Sequence, residues 1–289
     1  MKKLLFFDID GTLAYPRSDP SPVTAAAVRA ARRNGHKVFL STGRTLDRIP
    51  KAVLDIGFDG GIFSAGGFVV YGNTVVSQRF MPALLVQKIL QLLRGQAVFY
   101  KLETAEGNFK SENAEAMLLR MNLAEAGSEM QRFAEDLLFD PRLRPLSDYD
   151  GQPVYKISFF SADRAVPEQL SAALGDRAKV VRFDNLVRNF PLTAGEVCDV
   201  SVNKGLALRD ICRHLGESEA DCIAFGDSMN DAEILEAAGL GIAMGNAEER
   251  VKALADRVCG SCEEDGVAKA LQELKLTIPQ NRSAEGSQG

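Results

Sequence analysis

The sequence predicts an α/β protein built on a doubly wound parallel sheet, with a second, α+β domain inserted into the chain. Two observations lead to this prediction. Short apolar runs alternate with amphipathic helical patterns over residues 1–81 and again over residues 191–275, and this alternation is typical of doubly wound folds. Residues 82–190 show a different pattern, and a segment of that length is too long for a simple loop.

The apolar run Leu4–Phe7 predicts a buried strand, because it is short and Gly11 follows closely. Apolar residues at helical spacing predict helices, and Gly72-Asn73 predicts the two-residue turn of a hairpin. The elements predicted in the first part of the core are a strand at 4–7, a helix carrying Val23, Ala27, Val28 and Ala31, a strand at 38–40, a helix carrying Leu46, Ile49, Val53 and Leu54, a strand at 60–67 and a hairpin at 68–77.

The same reasoning predicts the insert and the second part of the core. The insert is predicted to contain a helix carrying Leu85, Ile89, Leu92 and Leu93, helices at 113–121 and 128–138, a strand at 154–160, a helix at 167–174, and strands at 179–183 and 186–190. The second part is predicted to contain a helix from Lys204, strands at 222–225 and 241–244, and helices around 234–238, 251–254 and 267–274. The polar tail 276–289 is predicted to be disordered.

Composition excludes several classes of function. A chain of 289 residues with 46% hydrophobic content predicts two domains, and a net charge of −5 argues against nucleic acid as a partner. No apolar stretch is long enough for a transmembrane helix. Five cysteines without a signal peptide predict reduced thiols and a cytoplasmic location. Cys259 and Cys262 form a lone C-x-x-C, which we interpret as two ordinary thiols because zinc would need a second pair.

Polar side chains follow three of the predicted core strands. Because parallel strands end at the same edge of a sheet, we expect these side chains to share one cleft, where ligands bind in open α/β folds. The predicted helix that begins at Lys204 adds a cation. The candidate residues are Asp8 and Asp10 after the first strand, Ser41, Thr42, Gly43 and Arg44 after the second, Asp227, Asn230 and Asp231 after the strand at 222–225, and Lys204.

This set of groups favours phosphoryl transfer. Carboxylates in one cleft repel each other unless a cation lies among them, and oxygen ligands suit Mg²⁺. A carboxylate beside a metal-bound phosphate can attack phosphorus, and a second acid two residues along the strand points the same way and can transfer a proton. Each group also has an ordinary explanation: a surface lysine, a turn at 41–43, or helix capping at 227–231. Their common position at one edge makes these explanations together improbable.

The segments DIDGTL, STGR and GDSMND, together with Lys204, resemble the four motifs of the haloacid dehalogenase superfamily of phosphatases. The insert at about 82–190 resembles the α/β cap of its Cof-type subfamily (IIB), and GIAMGNA and EEDGVAKAL resemble that subfamily's closing segments. The resemblance covers residues 1–274. It implies a Rossmann-like catalytic core at 1–81 and 191–275 and a cap at 82–190 that reads the substrate.

The resemblance also implies a role for each matching residue. Asp8 is expected to be the nucleophile that forms an aspartyl-phosphate, and Asp10 the general acid and base. Asp8, the backbone carbonyl of Asp10 and Asp227 are expected to bind Mg²⁺. The remaining expectations are that Thr42, Gly43, Lys204 and Asn230 bind the phosphoryl group and that Arg44 and Asp231 support the site.

The chain departs from the family pattern at two positions. Ala65 stands where Asn is common, and Cys262 stands at a second common Asn position. The expected substrate is a small phosphate ester, with sugar phosphates as the first choice and flavin mononucleotide or pyridoxal phosphate as others. Two alternatives stay open: a phosphomutase of the same superfamily, and a non-catalytic regulator that binds a phosphorylated ligand. The sequence indicates neither the individual substrate nor the oligomeric state.

Overall fold

The computed structural model describes residues 2–15, 18–112, 142–182 and 193–278. The helices predicted at 113–121 and 128–138 and the strand predicted at 186–190 lie outside these residues. The described strands are β1 Leu4–Phe7, β2 Lys37–Ser41, β3 Gly60–Phe63, β4 Phe68–Tyr71, β5 Thr74–Gln78, β6 Val98–Thr104, β7 Gly107–Lys110, β8 Leu143–Pro145, β9 Val154–Ser161, β10 Ala178–Arg182, β11 Thr193–Asp199, β12 Cys222–Gly226, β13 Leu240–Ala243 and β14 Arg257–Val258. The described α-helices are α1 Pro22–Arg33, α2 Lys51–Leu54, α3 Ala83–Leu93, α4 Val166–Leu174, α5 Lys204–Leu215, α6 Ala232–Ala237, α7 Glu249–Lys252 and α8 Gly266–Glu273.

Eight of these strands form the core sheet, in the order β14-β13-β12-β1-β2-β3-β4-β5. The strands from β14 to β3 pair in parallel, and β4 and β5 add an antiparallel hairpin at one edge. The chain moves outward from β1 to β3 on one side and from β12 to β14 on the other. The strand order therefore switches between β1 and β12, which is where open α/β sheets bind ligands. The predicted fold class is confirmed.

Strand β1 is apolar throughout because helices cover both faces of the sheet. Leu5 and Phe7 pack in the cluster that includes residues of α1 and α8, and Leu4 and Phe6 pack in the cluster that includes residues of α5 and α6. Full burial of each such side chain stabilises the fold by about 1.5–3 kcal/mol. The strand is thus fixed firmly in the middle of the sheet, and the residues after it have a defined position.

The helix predicted around Leu46–Leu54 is shorter than expected. Residues Leu46–Arg48 form a single 3₁₀ turn, and α2 begins only after Pro50. Proline has no backbone N–H and clashes with a preceding helical turn, so one continuous helix cannot form across it. The prediction of one helix here is wrong for this physical reason.

The predicted tail also begins too early. Leu276 is buried in the apolar cluster between the core sheet, α1 and α8, and the side chain of Asn34 donates a hydrogen bond to its carbonyl at 2.9 Å. The packed chain therefore extends at least to Leu276, and residues 279–289 lie outside the described part. No helix in the described ranges is long and apolar enough to span a bilayer, and the predicted cytoplasmic location stays a prediction.

Six strands form a second sheet, in the order β10-β11-β9-β6-β7-β8. Helices α3 and α4 supply the apolar side chains that cover one face of it. The sequence predicted that the core resumes at residue 191, but β11 pairs with β9 and β10, so this sheet extends to Asp199. We propose that the second sheet, with α3 and α4, is the cap and that its C-terminal boundary lies at Asp199 rather than at residue 190.

Contacts on several elements hold the cap against the core. The ring of Tyr155 in β9 stacks on Phe80, with ring centroids 4.8 Å apart. Lys179 in β10 forms an ion pair with Glu233 in α6. The side chain of Arg142 donates a hydrogen bond to the carbonyl of Asp47 at 3.1 Å. The cap therefore lies over the edge of the core sheet where the strands end.

Candidate active site

The predicted site residues follow three adjacent strands of the core sheet. Strand β1 lies between β2 and β12, and Phe7 is in register with Leu40 on one side and Phe225 on the other. The three strands therefore end at the same level. Asp8, Thr42 and Asp227 are the polar residues that the chain places just beyond these ends.

Lys204 is the first residue of α5, and its ammonium lies among the carboxylates. The helix begins there because Asn203 caps it, accepting a hydrogen bond from the N–H of Leu206 at 2.8 Å. The Nζ atom of Lys204 lies 2.8 Å from Oδ1 of Asp8 and 2.5 Å from Oδ1 of Asp231. The side chain is fully buried, so Lys204 is not a surface lysine.

Asp231 and Asn230 fix the loop that follows β12. The second carboxylate oxygen of Asp231 accepts hydrogen bonds from the N–H groups of Asp227 at 3.1 Å and Ser228 at 3.2 Å. The side-chain oxygen of Asn230 accepts from Lys204 at 3.1 Å. This loop therefore both caps a helix and contacts Lys204. The explanation of residues 227–231 as helix capping is compatible with a role in the active site.

Asp8, Asp227 and Asp231 have carboxylate oxygens that lie within 4.8 Å of one another. We call these three residues and Lys204 the core cluster. Burial, partly offset by Lys204 and reinforced by Asp231, raises the pKa of Asp8 to about 7. Burial and the charge of Asp8 also raise the pKa of Asp227 well above its ordinary value. One ammonium does not balance these acids.

A divalent cation fits this donor set. Within the described part of the chain, Oδ1 of Asp227 is buried and has no hydrogen-bond partner, which is costly for a carboxylate oxygen unless a cation meets it. Oxygen donors at this density suit Mg²⁺. Gly11 leaves the space beside Asp227 open, because a Cβ at position 11 would collide with that carboxylate.

Asp10 lies in a different environment from Asp8. Its carboxylate accepts two hydrogen bonds from Arg44, at 2.7 Å from Nε and 2.5 Å from Nη2, and it is not among the three clustered carboxylates. The carboxylate of Asp10 therefore lies beside the core cluster rather than within it. Asp10 is still close enough that its charge contributes to the raised pKa of Asp8.

Thr42 and Gly43 form the loop after β2. Thr42 is buried, and its hydroxyl accepts a hydrogen bond from the N–H of Arg44 at 3.1 Å. A Cβ at Gly43 would lie 3.7 Å from Nδ2 of Asn230. The hydroxyls of Thr12 and Ser41 are buried without hydrogen-bond partners in the described residues. Gly43 thus lies next to Asn230, and the two buried hydroxyls, one after β1 and one at the end of β2, have no hydrogen-bond partner among the described residues.

The departure at Ala65 lies in a strained turn against this loop. Ser64 and Ala65 have φ values of 50° and 58°, in the left-handed region that L-residues adopt only at a cost. Their N–H groups donate to the carbonyls of Arg44 at 2.9 Å and Thr42 at 3.1 Å. The turn therefore supports the loop, although Ala lacks the side-chain oxygen that makes Asn tolerant of this conformation.

The departure at Cys262 leaves a backbone contact in place. The N–H of Cys262 donates to Oδ1 of Asn246 at 2.8 Å, and Nδ2 of Asn246 donates to the carbonyl of Gly11 at 2.9 Å. Burial and the charge of Asp227 raise the pKa of the Cys262 thiol to about 12. Asn246 connects this loop to the first motif, and sequence reasoning missed it because GIAMGNA was treated only as a family segment.

Sequence reasoning also missed Lys156. This lysine interrupts the apolar strand β9, is buried, and its Nζ would lie 3.4 Å from a Cβ at Gly43. A lysine in the middle of the run VYKISFF was a usable signal, because lysine is rarely buried without a partner.

Comparisons with known proteins agree on one family. The sequence model of haloacid dehalogenase-like hydrolases matches residues 5–271. HMP-PP phosphatase of Klebsiella pneumoniae is 31% identical over 286 residues, covering 94% of this chain and 95% of that protein. The 5-amino-6-(5-phospho-D-ribitylamino)uracil phosphatase YcsE of Bacillus subtilis is 25% identical over 276 residues, covering 95% and 96%. A solved structure of a haloacid dehalogenase-like hydrolase from B. subtilis is 25% identical with a TM-score of 0.78, covering 94% of this chain and 99% of that chain.

Proposed function

The chain belongs to the haloacid dehalogenase-like hydrolase family, and on that basis we propose that it is a Mg²⁺-dependent phosphomonoesterase acting on small phosphorylated metabolites. The predicted enzyme class, a phosphatase of this family, is confirmed. Relatives named as phosphatases align with this chain over nearly their whole length. The metal, the covalent intermediate, the site roles and the substrate are the proposed part.

The core cluster is the observation that supports this proposal. A nucleophilic carboxylate must be ionised and held at a fixed position. Lys204 favours the ionised form of Asp8 and holds it by a 2.8 Å contact. The buried, unpartnered oxygen of Asp227 lies in the same cluster. A phosphate-binding regulator would need the cations and N–H groups but not a cluster of acids, because acids repel phosphate.

Asp8 is the proposed nucleophile, and its carboxylate attacks phosphorus while the bond from phosphorus to the leaving oxygen breaks. Asp10 donates a proton to that oxygen, so the product leaves as an alcohol. Water then attacks the phosphorus of the aspartyl-phosphate, Asp10 takes the proton of that water, and inorganic phosphate leaves with Asp8 regenerated. Asp10 must exchange its contact with Arg44 for one with the substrate to do this.

Asp8, Asp227 and the backbone carbonyl of Asp10 would hold Mg²⁺. When bound, the cation neutralises charge that develops on the phosphoryl oxygens. Thr42, the N–H of Gly43, Lys204 and Asn230 would hold the remaining oxygens, and Arg44 and Asp231 would keep the loops in place. Because its ammonium is already fixed in place, Lys204 can stabilise the transition state without moving during the reaction.

The relatives point to small phosphorylated metabolites as substrates but not to one compound. HMP-PP phosphatase and the ribitylaminouracil phosphatase act, by their names, on chemically different leaving groups. The core cluster has no part that could distinguish such groups. We therefore propose that the cap reads the leaving group, with sugar phosphates as the first candidates and flavin mononucleotide and pyridoxal phosphate as others.

Phosphate release from p-nitrophenyl phosphate tests the proposed function. Activity should require Mg²⁺, stop with EDTA and return when Mg²⁺ is added in excess. Radiolabelled phosphate should remain on the denatured wild-type protein after acid quenching and be absent from Asp8→Asn. Full activity in metal-free buffer, or label retained by a folded Asp8→Asn, would contradict the proposal. Isomerised sugar phosphate in place of free phosphate would instead favour a phosphomutase.

A further inference from the structure

Lys156 is the centre of a second group of buried polar side chains, located in the cap sheet. Its Nζ forms an ion pair with Glu196 and lies 3.6 Å from Oε2 of Glu103. Lys101 lies 2.8 Å from the other oxygen of Glu103, and the hydroxyl of Ser158 donates to that oxygen at 3.2 Å. We call these residues, together with Asn108, the cap cluster.

Strand register places the cap cluster on one face of the sheet. Glu103 is directly opposite Lys156 on one side and Asn108 on the other, and Ser158 is directly opposite Lys101 and Glu196. The alternate residues of these strands belong to the apolar cluster that α3 and α4 cover, and include Leu102, Ile157, Phe159 and Val197. Because successive side chains point to opposite faces, the cap cluster occupies the other face.

That face meets the core at the loop proposed to bind the phosphoryl group. The space that a Cβ at Gly43 would occupy lies 3.4 Å from Nζ of Lys156 and 3.7 Å from Nδ2 of Asn230. The cap ammonium and the core amide therefore both lie next to the same glycine. A substrate whose phosphoryl group lay on this loop would place its leaving group next to Lys156.

The stability of the fold does not account for the cap cluster. Replacing a buried ion pair by apolar side chains of similar size is often neutral or stabilising, because burial removes the charges from water. The side-chain oxygen of Asn108 is also buried without a hydrogen-bond partner among the residues that the structure describes. An acceptor left in this state is open to a donor from outside the described residues, such as a hydroxyl of a bound ligand.

The charges of the cap cluster limit the ligand it can take. Burial alone would raise the pKa of Glu103, but Lys101 and Lys156 beside it bring that pKa below its ordinary value. Burial would lower the pKa of Lys156, but Glu103 and Glu196 raise it above its ordinary value. Two ammonium groups and two carboxylates thus balance, and the cluster has no surplus charge with which to attract a second anionic group.

We propose that Lys156, with Glu103 and Glu196, is the specificity-determining group of this enzyme and binds a neutral leaving group that carries several hydroxyls. This inference rests on the proposed phosphatase function. Ammonium groups only donate hydrogen bonds and carboxylates only accept them, whereas a hydroxyl does both. A polyol can therefore satisfy Lys156, the two carboxylates and Asn108 together, which a flat aromatic ring or a carboxylate group cannot.

A panel of phosphate esters tests the class of leaving group. At saturating Mg²⁺, kcat/KM of the wild-type enzyme is measured for ribitol 5-phosphate, glucitol 6-phosphate and glycerol 3-phosphate, and for pyridoxal 5′-phosphate, 3-phosphoglycerate and p-nitrophenyl phosphate. We expect the highest values for the neutral polyol esters. A preference for the aromatic or the carboxylate esters would overturn the inference.

Substitutions at Lys156 test the residue assignment. In Lys156→Met, the ratio of kcat/KM for the best polyol ester to that for p-nitrophenyl phosphate should fall about 10–100-fold, since p-nitrophenol offers no hydroxyls to read. The double variant Lys156→Met with Glu196→Gln removes both partners, so no unpaired charge remains to impair folding. Lys88→Met is the matched control, because Lys88 donates to the carbonyl of Ala173 in the layer of helices on the other face, and it should leave the ratio unchanged.

The two proposals fail in distinguishable ways. A wild-type enzyme that hydrolyses p-nitrophenyl phosphate while both Lys156 variants keep the polyol ratio would overturn the cap inference alone. Equal losses on both esters, in variants that unfold at the wild-type temperature, would also overturn it, because they would make Lys156 a structural or phosphate-binding group. A wild-type enzyme that hydrolyses no ester in Mg²⁺ would overturn the proposed function and this inference with it.

Discussion

Two buried lysines, one in the core and one in the cap, each lie between two carboxylates. The net charge around them differs. Lys204 meets Asp8 and Asp231 in the core cluster, and Lys156 meets Glu103 and Glu196 in the cap cluster. In the core, the pKa of Asp8 is raised to about 7 by burial. In the cap, the pKa of Glu103 is lowered by two lysines despite burial. The charges of the cap cluster balance, whereas the core cluster holds three carboxylates and one ammonium.

This difference follows from where the side chains lie in each sheet. The core acids follow strand ends, where loops from separate parts of the chain meet around an open edge. The cap residues lie within paired strands, where register places opposite charges directly across from each other, as for Glu103 and Lys156. The same residue types therefore build an excess of acids in one place, which we propose binds a cation, and a charge-balanced hydrogen-bonding face in the other.

The largest effect is expected from substituting Asp8, the proposed nucleophile of the core cluster. Asp8→Asn keeps the size of the side chain but removes its charge, so turnover of p-nitrophenyl phosphate should fall by at least about 10⁴-fold. Steady-state phosphate release with a near-ultraviolet circular dichroism check measures this. Asp55→Asn, at an exposed carboxylate paired with Lys51, is the control and should retain activity. A folded Asp8→Asn within tenfold of the wild type would remove Asp8 from the mechanism.

The next effect separates the two lysines directly. Lys204→Met should lower kcat for p-nitrophenyl phosphate by about 10²–10³-fold, because it removes a fixed charge that faces the transferring group. Lys156→Met should lower it by less than about tenfold, since this ester has no leaving group for the cap to read. Comparable losses in both variants would abolish the distinction between the clusters.

Acid unfolding should show that Glu103 is charged in the folded protein and pairs with the buried lysines of the cap cluster. Glu103 has a lowered pKa in the folded protein, so its contribution is present above its unfolded pKa and is lost as the pH falls through the folded value. Glu103→Gln should be less stable than the wild type by about 3 kcal/mol at pH 7, because it leaves buried lysines with fewer partners. Urea unfolding at several pH values should show this difference shrinking below about pH 4. A difference that does not depend on pH would mean that Glu103 acts through packing alone.

The smallest effect concerns the strained turn that supports the core loop. Ala65 has a φ of 58°, which Gly adopts freely, so Ala65→Gly should raise the free energy of unfolding by about 1 kcal/mol. Ala26→Gly, at an exposed position in α1, should lower it by about 0.5–1 kcal/mol. Urea denaturation of both variants provides the measurement. Destabilisation at both positions would show that the turn at Ala65 is not strained.

The sequence was sufficient to predict most of the core sheet and the position of its candidate site. It missed β14, and it extended the strand at 60–67 into the turn that follows Phe63. The runs at Leu4–Phe7 and 222–225 are short, fully apolar and end in acids, so both their burial and their polar ends could be predicted. The sequence placed Lys204 in the same cleft as Asp8 and Asp231, but the distances between them were not readable. The three residues are far apart in the sequence, and the helix that begins at Lys204 sets the position of its ammonium. The contact of Asp10 with Arg44 was likewise invisible, since it depends on the rotamers of two loop residues.

The cap was the harder part to predict. Strands β6 and β7 were missed and β11 was assigned to the core, because pairing between distant segments, not local pattern, defines this sheet. Lys156 and Glu103 come from strands that are distant in sequence, so neither residue alone indicates a site. The sequence did show a lysine within an apolar strand. Its partners can be identified only once the pairing of the neighbouring strands is known.

Calorimetric titration with Mg²⁺ is the most direct test of the claim that the core cluster is incomplete and the cap cluster complete. The wild-type protein should bind one Mg²⁺ ion, and Asp227→Asn should weaken that binding by at least about tenfold because it removes a charged oxygen donor. Glu196→Gln should bind Mg²⁺ with wild-type affinity. If the wild type binds no Mg²⁺, or if Glu196→Gln weakens binding as much as Asp227→Asn does, the distinction between the two clusters is wrong.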